Sequence, residues 1–413
     1  MTPDLLTLPQ GYSFAAHACG IKPQGALDLA LVFSEIPCAA AALFTQNRYA
    51  AAPVQYDRQL LSLNPTGVQA VLINSGNANA ITGSMGLAAT RRSAEAVEAV
   101  FGLAPWSTLV MSTGVIGVPL PVERIERAVP ALHQSLQADA EALERAARAI
   151  MTTDTRPKVV SVQGQVAGVE VTVAGMAKGA GMIHPNMATM LAVLVSDVAA
   201  TPHALHQALT QAVNVSFNRI SVDGDTSTND TVTLLANGLA GNPVLTEPDD
   251  AGFREFTALL QRACVPLAQD IVRDGEGATR FVTVEVTGLA DDDQAHRLAN
   301  AIAVSPLVKT AIYGGDANWG RILAAAGNSG VAFDPAAAAL WISGGESAAK
   351  MLPLLQIVDG GAPLPYSEEE ASRRFAQPEL LIRLQMGDGP GRATMWTCDL
   401  SHDYVTINGE YRT

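Results

Sequence analysis

Lys178-Gly179-Ala180-Gly181-Met182-Ile183-His184-Pro185-Asn186-Met187-Ala188-Thr189-Met190-Leu191-Ala192-Val193-Leu194-Val195-Ser196-Asp197 takes a glycine-rich turn through a proline to one threonine that opens an apolar run. The run Met190 to Val195 is too short for most helices and ends at polar Ser196, which predicts a strand with Thr189 at its head. A threonine in that place is ordinarily a plain strand residue. Its neighbours allow a second role. A threonine hydroxyl is a weak nucleophile, and one way to activate it is to make it the first residue of a chain, where its own α-amine, with pKa about 7.7 to 8.0, takes the proton. Thr189 gains that amine only if the Ala188-Thr189 bond is cut. Gly179, Gly181 and Pro185 supply an unusual backbone, and Ala188 leaves the carbonyl approachable.

Outward from this strand, short apolar segments bounded by Gly, Asn or Pro predict further strands at Leu27 to Phe33, Val68 to Ile73, Leu109 to Met111, Val166 to Val173 and Phe281 to Val286. Between them, Gly86 to Val100, Val122 to Ala149, Pro202 to Val215 and Asp250 to Arg273 have the length, alanine content and charge spacing of amphipathic helices. The interleaving predicts an α/β protein. An acidic linker, Ala290-Asp291-Asp292-Asp293-Gln294, and a strand-poor, alanine-rich stretch to about Gly345 predict a smaller lobe after Gly288.

A chain of 413 residues exceeds the size at which single cores stop growing, and 48% hydrophobic residues suffice for a sizeable core. With 26 Lys+Arg against 40 Asp+Glu the net charge is -14, and no basic run could neutralise a phosphate backbone. Nucleic acid is not expected as a partner. Met1-Thr2-Pro3-Asp4-Leu5 has no basic n-region or long apolar h-region, and no apolar run approaches the roughly 20 residues that span a bilayer, so a cytoplasmic location is expected. The four cysteines, Cys19, Cys38, Cys264 and Cys398, form no Cys-x-x-Cys pair and are expected as small apolar core residues.

The chain lacks Gly-x-x-x-x-Gly-Lys-Ser/Thr, His-Glu-x-x-His and Gly-x-Ser-x-Gly, which removes support for a P-loop nucleotidase, a zincin and an α/β-hydrolase. Gly179-Ala180-Gly181 lacks the third glycine of a dinucleotide fingerprint, position 184 being histidine. Asp223 to Asp230 invites a calcium reading, yet the sixth position would be Thr228 and the twelfth Leu234, so a turn capping a strand at Thr231 to Leu235 is favoured. No metal site is expected.

Taken together, the run Lys178 to Asp197 resembles the maturation site of the ornithine acetyltransferase / glutamate N-acetyltransferase family. Other segments agree in order along the chain: Ala42 to Arg48 with Ala51 to Val54, Asn74 to Ala80, Ser112 to Gly117, Met151 to Thr155, Ser221 to Asp230, Gly315 to Arg321 and Tyr404 to Thr413. Ile81 departs from the pattern, many relatives carrying cysteine there, but it touches none of the site residues carried over. The resemblance implies an αββα main domain over residues 1-287, closed by 394-413, with a smaller α/β lobe over 288-393. It further implies a precursor cut into chains 1-188 and 189-413 that assemble as an α2β2 heterotetramer, and acetyl transfer from N-acetylornithine to glutamate through an acetyl-threonine ester. Acetyl-CoA is the expected second acetyl donor, although no single residue here decides it, and no metal or redox cofactor is implied.

Residue by residue, the resemblance makes Thr189 the nucleophile and the Thr113 hydroxyl and Gly114 N-H the donors to the developing oxyanion. The plainer account of Ser112-Thr113-Gly114 is a turn after a strand ending at Met111. Lys178 corresponds to a substrate lysine, although lone lysines are usually solvated. Thr152, chosen over Thr153, corresponds to a substrate-contacting threonine that could equally be a turn hydroxyl. Glu276, between Gly275 and Gly277, corresponds to a substrate-binding acid, against the plain reading of an exposed turn. Asn408 and Thr413 match the family's closing pair, and a chain end in a binding site has to be tied down. His184 is a lesser alternative as general base, being more often a turn residue beside proline. Two other classes stay open. An N-terminal-nucleophile amidohydrolase or aminopeptidase would use the same cut but pass the acyl group to water, and an uncleaved binding protein would remain one chain.

Overall fold

The computed structural model describes residues 6-184, 190-247 and 251-409. Along the chain run β1 (Tyr12–His17), β2 (Leu29–Phe44), α1 (Ala52–Leu63), β3 (Val68–Asn77), α2 (Gly83–Phe101), β4 (Thr108–Val115), α3 (Val122–Gln134), α4 (Ala140–Ala149), β5 (Lys158–Val166) and β6 (Val169–Lys178). Then follow β7 (Leu191–Ser196), α5 (Pro202–Asn214), β8 (Ile220–Ser221), β9 (Thr231–Ala236), α6 (Ala251–Arg273), β10 (Phe281–Gly288), α7 (Asp292–Ala303), α8 (Pro306–Tyr313) and α9 (Trp319–Gly327). The last elements are β11 (Ala339–Gly345), β12 (Leu355–Asp359), β13 (Ala362–Pro363), α10 (Glu368–Phe375), β14 (Glu379–Gln385), β15 (Gly389–Cys398) and α11 (His402–Gly409). These elements fall into two compact units, Met1–Asn218 with Asp225–Ile271, and Arg219–Gly224 with Val272–Thr413.

Strand β2 builds the first unit because it serves two sheets. Its first half pairs with β1 and β3; the register shifts between Phe33 and Cys38, and Ala39 to Phe44 then pair with β9. Pro37, which has no N-H to give a ladder, sits at that shift. One sheet is therefore β1-β2-β3-β4 and the other β2-β9-β7-β6-β5. Side chains alternate faces along each strand. Ala15, Leu29, Leu31, Ala70 and Leu72 pack under α2 and α3 through Val97, Ile125, Val129 and Leu132. Phe14, Val32, Val71 and Ile73 face the other way and meet Met176, Leu191, Val193 and Val195 of the second sheet. Helix α5 packs on β2, and Leu259 of α6 approaches Gly164 of β5. The order helix, sheet, sheet, helix is the αββα sandwich.

Two expectations change here. Val122 to Ala149 is two helices, because Phe14 and Gln137 exchange backbone hydrogen bonds of 2.8 and 3.0 Å across the break and Asp139 caps α4 by accepting from Ala142 N at 2.8 Å. Val166 to Val173 is not one strand: Val166 pairs with Val169 around Ala167 and Gly168, whose φ values of 50° and 79° make a tight hairpin between β5 and β6.

In the second unit a seven-stranded sheet runs β13-β12-β11-β14-β10-β15-β8. Its core joins Val282, Val284 and Val286 of β10 to Leu298 and Ile302 of α7 and to Ile342, Ile382 and Leu384. The expected boundary at 287/288 is corrected to 271/272, because β10 pairs with β14 and β15. For the same reason residues 394-398 extend this lobe's sheet instead of closing the first unit. Among the described residues no helix is long and apolar enough to cross a membrane.

Candidate active site

The head of β7 is held on both sides. Lys178, the last residue of β6, pairs with Leu191, and on the other side Met190 N donates to Asp230 Oδ1 at 3.0 Å while Thr231 N donates to Met190 O at 3.1 Å. Ala188 and Thr189, the expected cleavage pair, lie outside the described residues, as does Thr413. Met190 is the first described residue after them.

Lys178 is buried, which replaces the reading of a solvated lysine. Its Nζ donates to Thr152 Oγ1 at 2.9 Å and lies 3.8 Å from Asp154 Oδ2. Asp154 organises this corner. Its Oδ1 accepts from Lys158 Nζ and from Gly179 N, both at 2.7 Å, and its Oδ2 accepts from Thr152 N at 3.0 Å. Burial would push such a carboxyl up, but the Lys178 and Lys158 ammonium groups and the Gly179 N-H outweigh it and hold Asp154 well below the usual carboxylate range. The Lys178 and Lys158 ammonium groups thus both lie against the Asp154 carboxylate. Lys22 Nζ donates to Met151 O at 2.6 Å and to Leu27 O at 3.0 Å, and burial lowers its pKa.

Thr113 and Gly114 lie within β4, so the plain turn reading fails. Gly114 has φ +130°, and a Cβ there would meet the Gly76 carbonyl carbon at 2.3 Å and Asn77 N at 2.5 Å. Only glycine fits that approach of β4 to β3. The end of β3 is locked by Ser112 Oγ donating to Asn74 Oδ1 at 2.6 Å and by Asn74 Nδ2 donating to Asn77 O at 2.8 Å. His184 is half-buried; burial lowers its pKa while Asp225 opposes the shift.

In the second unit, Asn408 Nδ2 of α11 donates to Glu276 Oε2 at 2.7 Å. Glu276 is only 6% exposed, which replaces the exposed-turn reading. Its loop is pinned by Asp399, which accepts from Thr279 N at 2.8 Å and Arg280 N at 3.0 Å, and by Ser401 Oγ donating to Gly277 O at 2.6 Å. Gly277 has φ +67°, and a Cβ there would lie 2.5 Å from Tyr404 N. The end of the chain is thereby tied down as far as α11.

Sequence reasoning missed Asp154, Lys158, Lys22 and Asp399 as site residues and took Asn229-Asp230 for a turn. Asp154 and Asp230 do fall inside segments that carried the family resemblance, but nothing local marks an aspartate as buried.

Fold and site define an αββα protein whose buried charges gather at the head of one central strand. The ArgJ family model matches residues 13-413, and the chain belongs to that family. It is 44% identical over 99% of its length to the arginine biosynthesis bifunctional protein ArgJ of Thermosynechococcus vestitus, covering 98% of that protein. It is 46% identical to the protein of the same name from Thermotoga neapolitana, over 98% of this chain and all of the other. The mitochondrial ArgJ of Podospora anserina is 46% identical over all of this chain and 90% of its own.

Proposed function

We propose that this chain is a self-cleaving N-terminal-threonine acetyltransferase of arginine biosynthesis, moving acetyl from N-acetylornithine to glutamate. The observation that carries the reading is the buried Lys178-Asp154-Lys158 cluster beside the head of β7, joined to full-length likeness to proteins named for that pathway. In maturation the Thr189 hydroxyl attacks the Ala188 carbonyl carbon, the peptide C-N bond breaks, and water hydrolyses the resulting ester to free chains 1-188 and 189-413. The new α-amine then takes the hydroxyl proton as Oγ attacks the acetyl carbon of N-acetylornithine. Thr113 Oγ-H and Gly114 N-H donate to the oxyanion; removing one such donor costs about 3 to 4 kcal/mol. Ornithine leaves with the proton from the ammonium, and the glutamate amine takes acetyl from the threonine ester by the reverse steps.

Lys178 and Thr152 bind the substrate, the Lys178 ammonium complementing its carboxylate. Glu276, Asn408 and Thr413 are further substrate-binding residues. Acetyl-CoA serves as an alternative donor, in keeping with relatives named bifunctional. The steps need no metal or redox cofactor. The two chains stay together and assemble as an α2β2 heterotetramer in the cytoplasm.

Intact mass of the purified protein tests this most directly. Wild type should give two fragments, the second beginning at Thr189, and Thr189→Ala a single 43.1 kDa chain. An uncleaved, fully active wild type would sink the reading. Acetate released from N-acetylornithine at a rate unaffected by glutamate would favour a hydrolase instead.

A further inference from the structure

The segment Ser227 to Asp230 does more than cap β9. It is anchored by Thr45, whose Oγ1 donates to Ser227 O at 2.7 Å and whose N donates to Asp230 O at 2.9 Å, and by Ala51 N donating to Thr228 O at 2.8 Å. From that anchorage two consecutive side chains reach in different directions. Asn229 Nδ2 donates to Ala78 O at 2.6 Å, just past the end of β3, and to Ser112 O at 2.9 Å in β4. Its Oδ1 accepts from Thr228 Oγ1 at 2.7 Å, which fixes the amide's orientation. Asp230 Oδ1 accepts from Met190 N at 3.0 Å, one residue before β7 of the other sheet. Both residues are buried, and Asp230 Oδ2 has no hydrogen-bond partner among the described residues.

We propose that Asn229 and Asp230 are a positioning pair for acetyl transfer, one holding the residue before Thr113-Gly114 and the other the residue after position 189. This rests on the nucleophile and donors assigned above. Adjacent Cα atoms are about 3.8 Å apart, so one peptide unit ties the two anchors together. The pair thereby fixes Ser112, beside the oxyanion donors, relative to Met190, the residue after the nucleophile. That placement matters because an error of about 1 Å can cost roughly 100-fold in rate. Burial pushes the Asp230 carboxyl up, so its neutral form resembles an asparagine side chain, and Asp230→Asn keeps an acceptor for Met190 N-H.

The test measures self-cleavage, thermal midpoint, and kcat and KM for N-acetylornithine per cleaved site in Asp230→Ala, Asp230→Asn and Asn229→Asp, with Thr189→Ala as reference. Asp230→Ala should slow cleavage and lower kcat about 100-fold with KM little changed, while Asp230→Asn restores both rates. Asn229→Asp keeps shape but withdraws both Nδ2 donors and should show the same loss in kcat, which gives a second route should Asp230→Ala not fold. The proposal is overturned by wild-type kcat in Asp230→Ala or Asn229→Asp, by equal losses in Asp230→Ala and Asp230→Asn, or by a loss confined to KM. Activity surviving in Thr189→Ala would instead remove the nucleophile itself. An inactive Thr189→Ala beside fully active variants at 229 and 230 would remove only the pair.

Discussion

Asp154 and Asp230 are both buried in the first unit, on either side of the strands that carry the site, yet their surroundings drive them in opposite directions. Asp154 sits between two ammonium groups and accepts two backbone N-H bonds, so it is held ionised despite its burial. Asp230 has Met190 N on one oxygen and no partner among the described residues on the other, so burial dominates and raises its pKa. Burial alone therefore does not say whether a carboxyl is charged; the number and sign of its neighbours do.

The largest effect should come from breaking Asp154's pairing. Lys158→Met leaves a buried carboxylate short of its closest cation, since Lys158 Nζ and Asp154 Oδ1 are 2.7 Å apart with both side chains at most 1% exposed. Stability should fall by about 3 to 5 kcal/mol in urea denaturation, and an unchanged midpoint would break the contrast.

Next in size is the pH dependence, which has opposite signs at the two sites. Asp154, depressed in the fold, adds stability that is present above its unfolded pKa of about 4 and is lost as pH falls toward its folded value. Asp230, raised in the fold, favours the folded state below about pH 4 and loses that contribution as pH climbs through its raised value. Asp230→Asn should thus gain stability over wild type as pH rises above about 4, by up to about 1.4 kcal/mol per pH unit until the raised value is passed. Denaturation curves at several pH values check this; parallel curves for wild type and variant would contradict it.

The smallest effect belongs to the second unit, where Glu276 meets a neutral amide. Asn408→Ala should cost about 1 kcal/mol in stability, the ordinary worth of one hydrogen bond. Its KM for glutamate and for N-acetylornithine should rise, as steady-state assay would show; unaltered KM values would take Asn408 out of the substrate contacts.

Much of the fold was legible because it is local. The apolar run after Thr189 is β7, and Pro202 to Val215 and Asp250 to Arg273 are α5 and α6 to within a residue. Where expectation failed, a distant partner intervened: Gln137 leaves the helical pattern to pair with Phe14, more than a hundred residues earlier in the chain. At the site, Lys178 and Gly114 were legible through the motifs around them. Asp154 stood inside one of the same motifs without being singled out, and Asn229-Asp230 read as a turn.

Residue order alone was enough to say where strands and helices form, since periodicity, caps and breakers act over a few positions, and to place the chain in its family. Which carboxyls are buried, which of them stay charged, and how β4 is tied to β7 came from the folded arrangement. Desolvation and Coulomb energies depend on distances in space, and Asp154, Lys158 and Lys178, or Asn229, Ser112 and Met190, become neighbours only when the sheets pack.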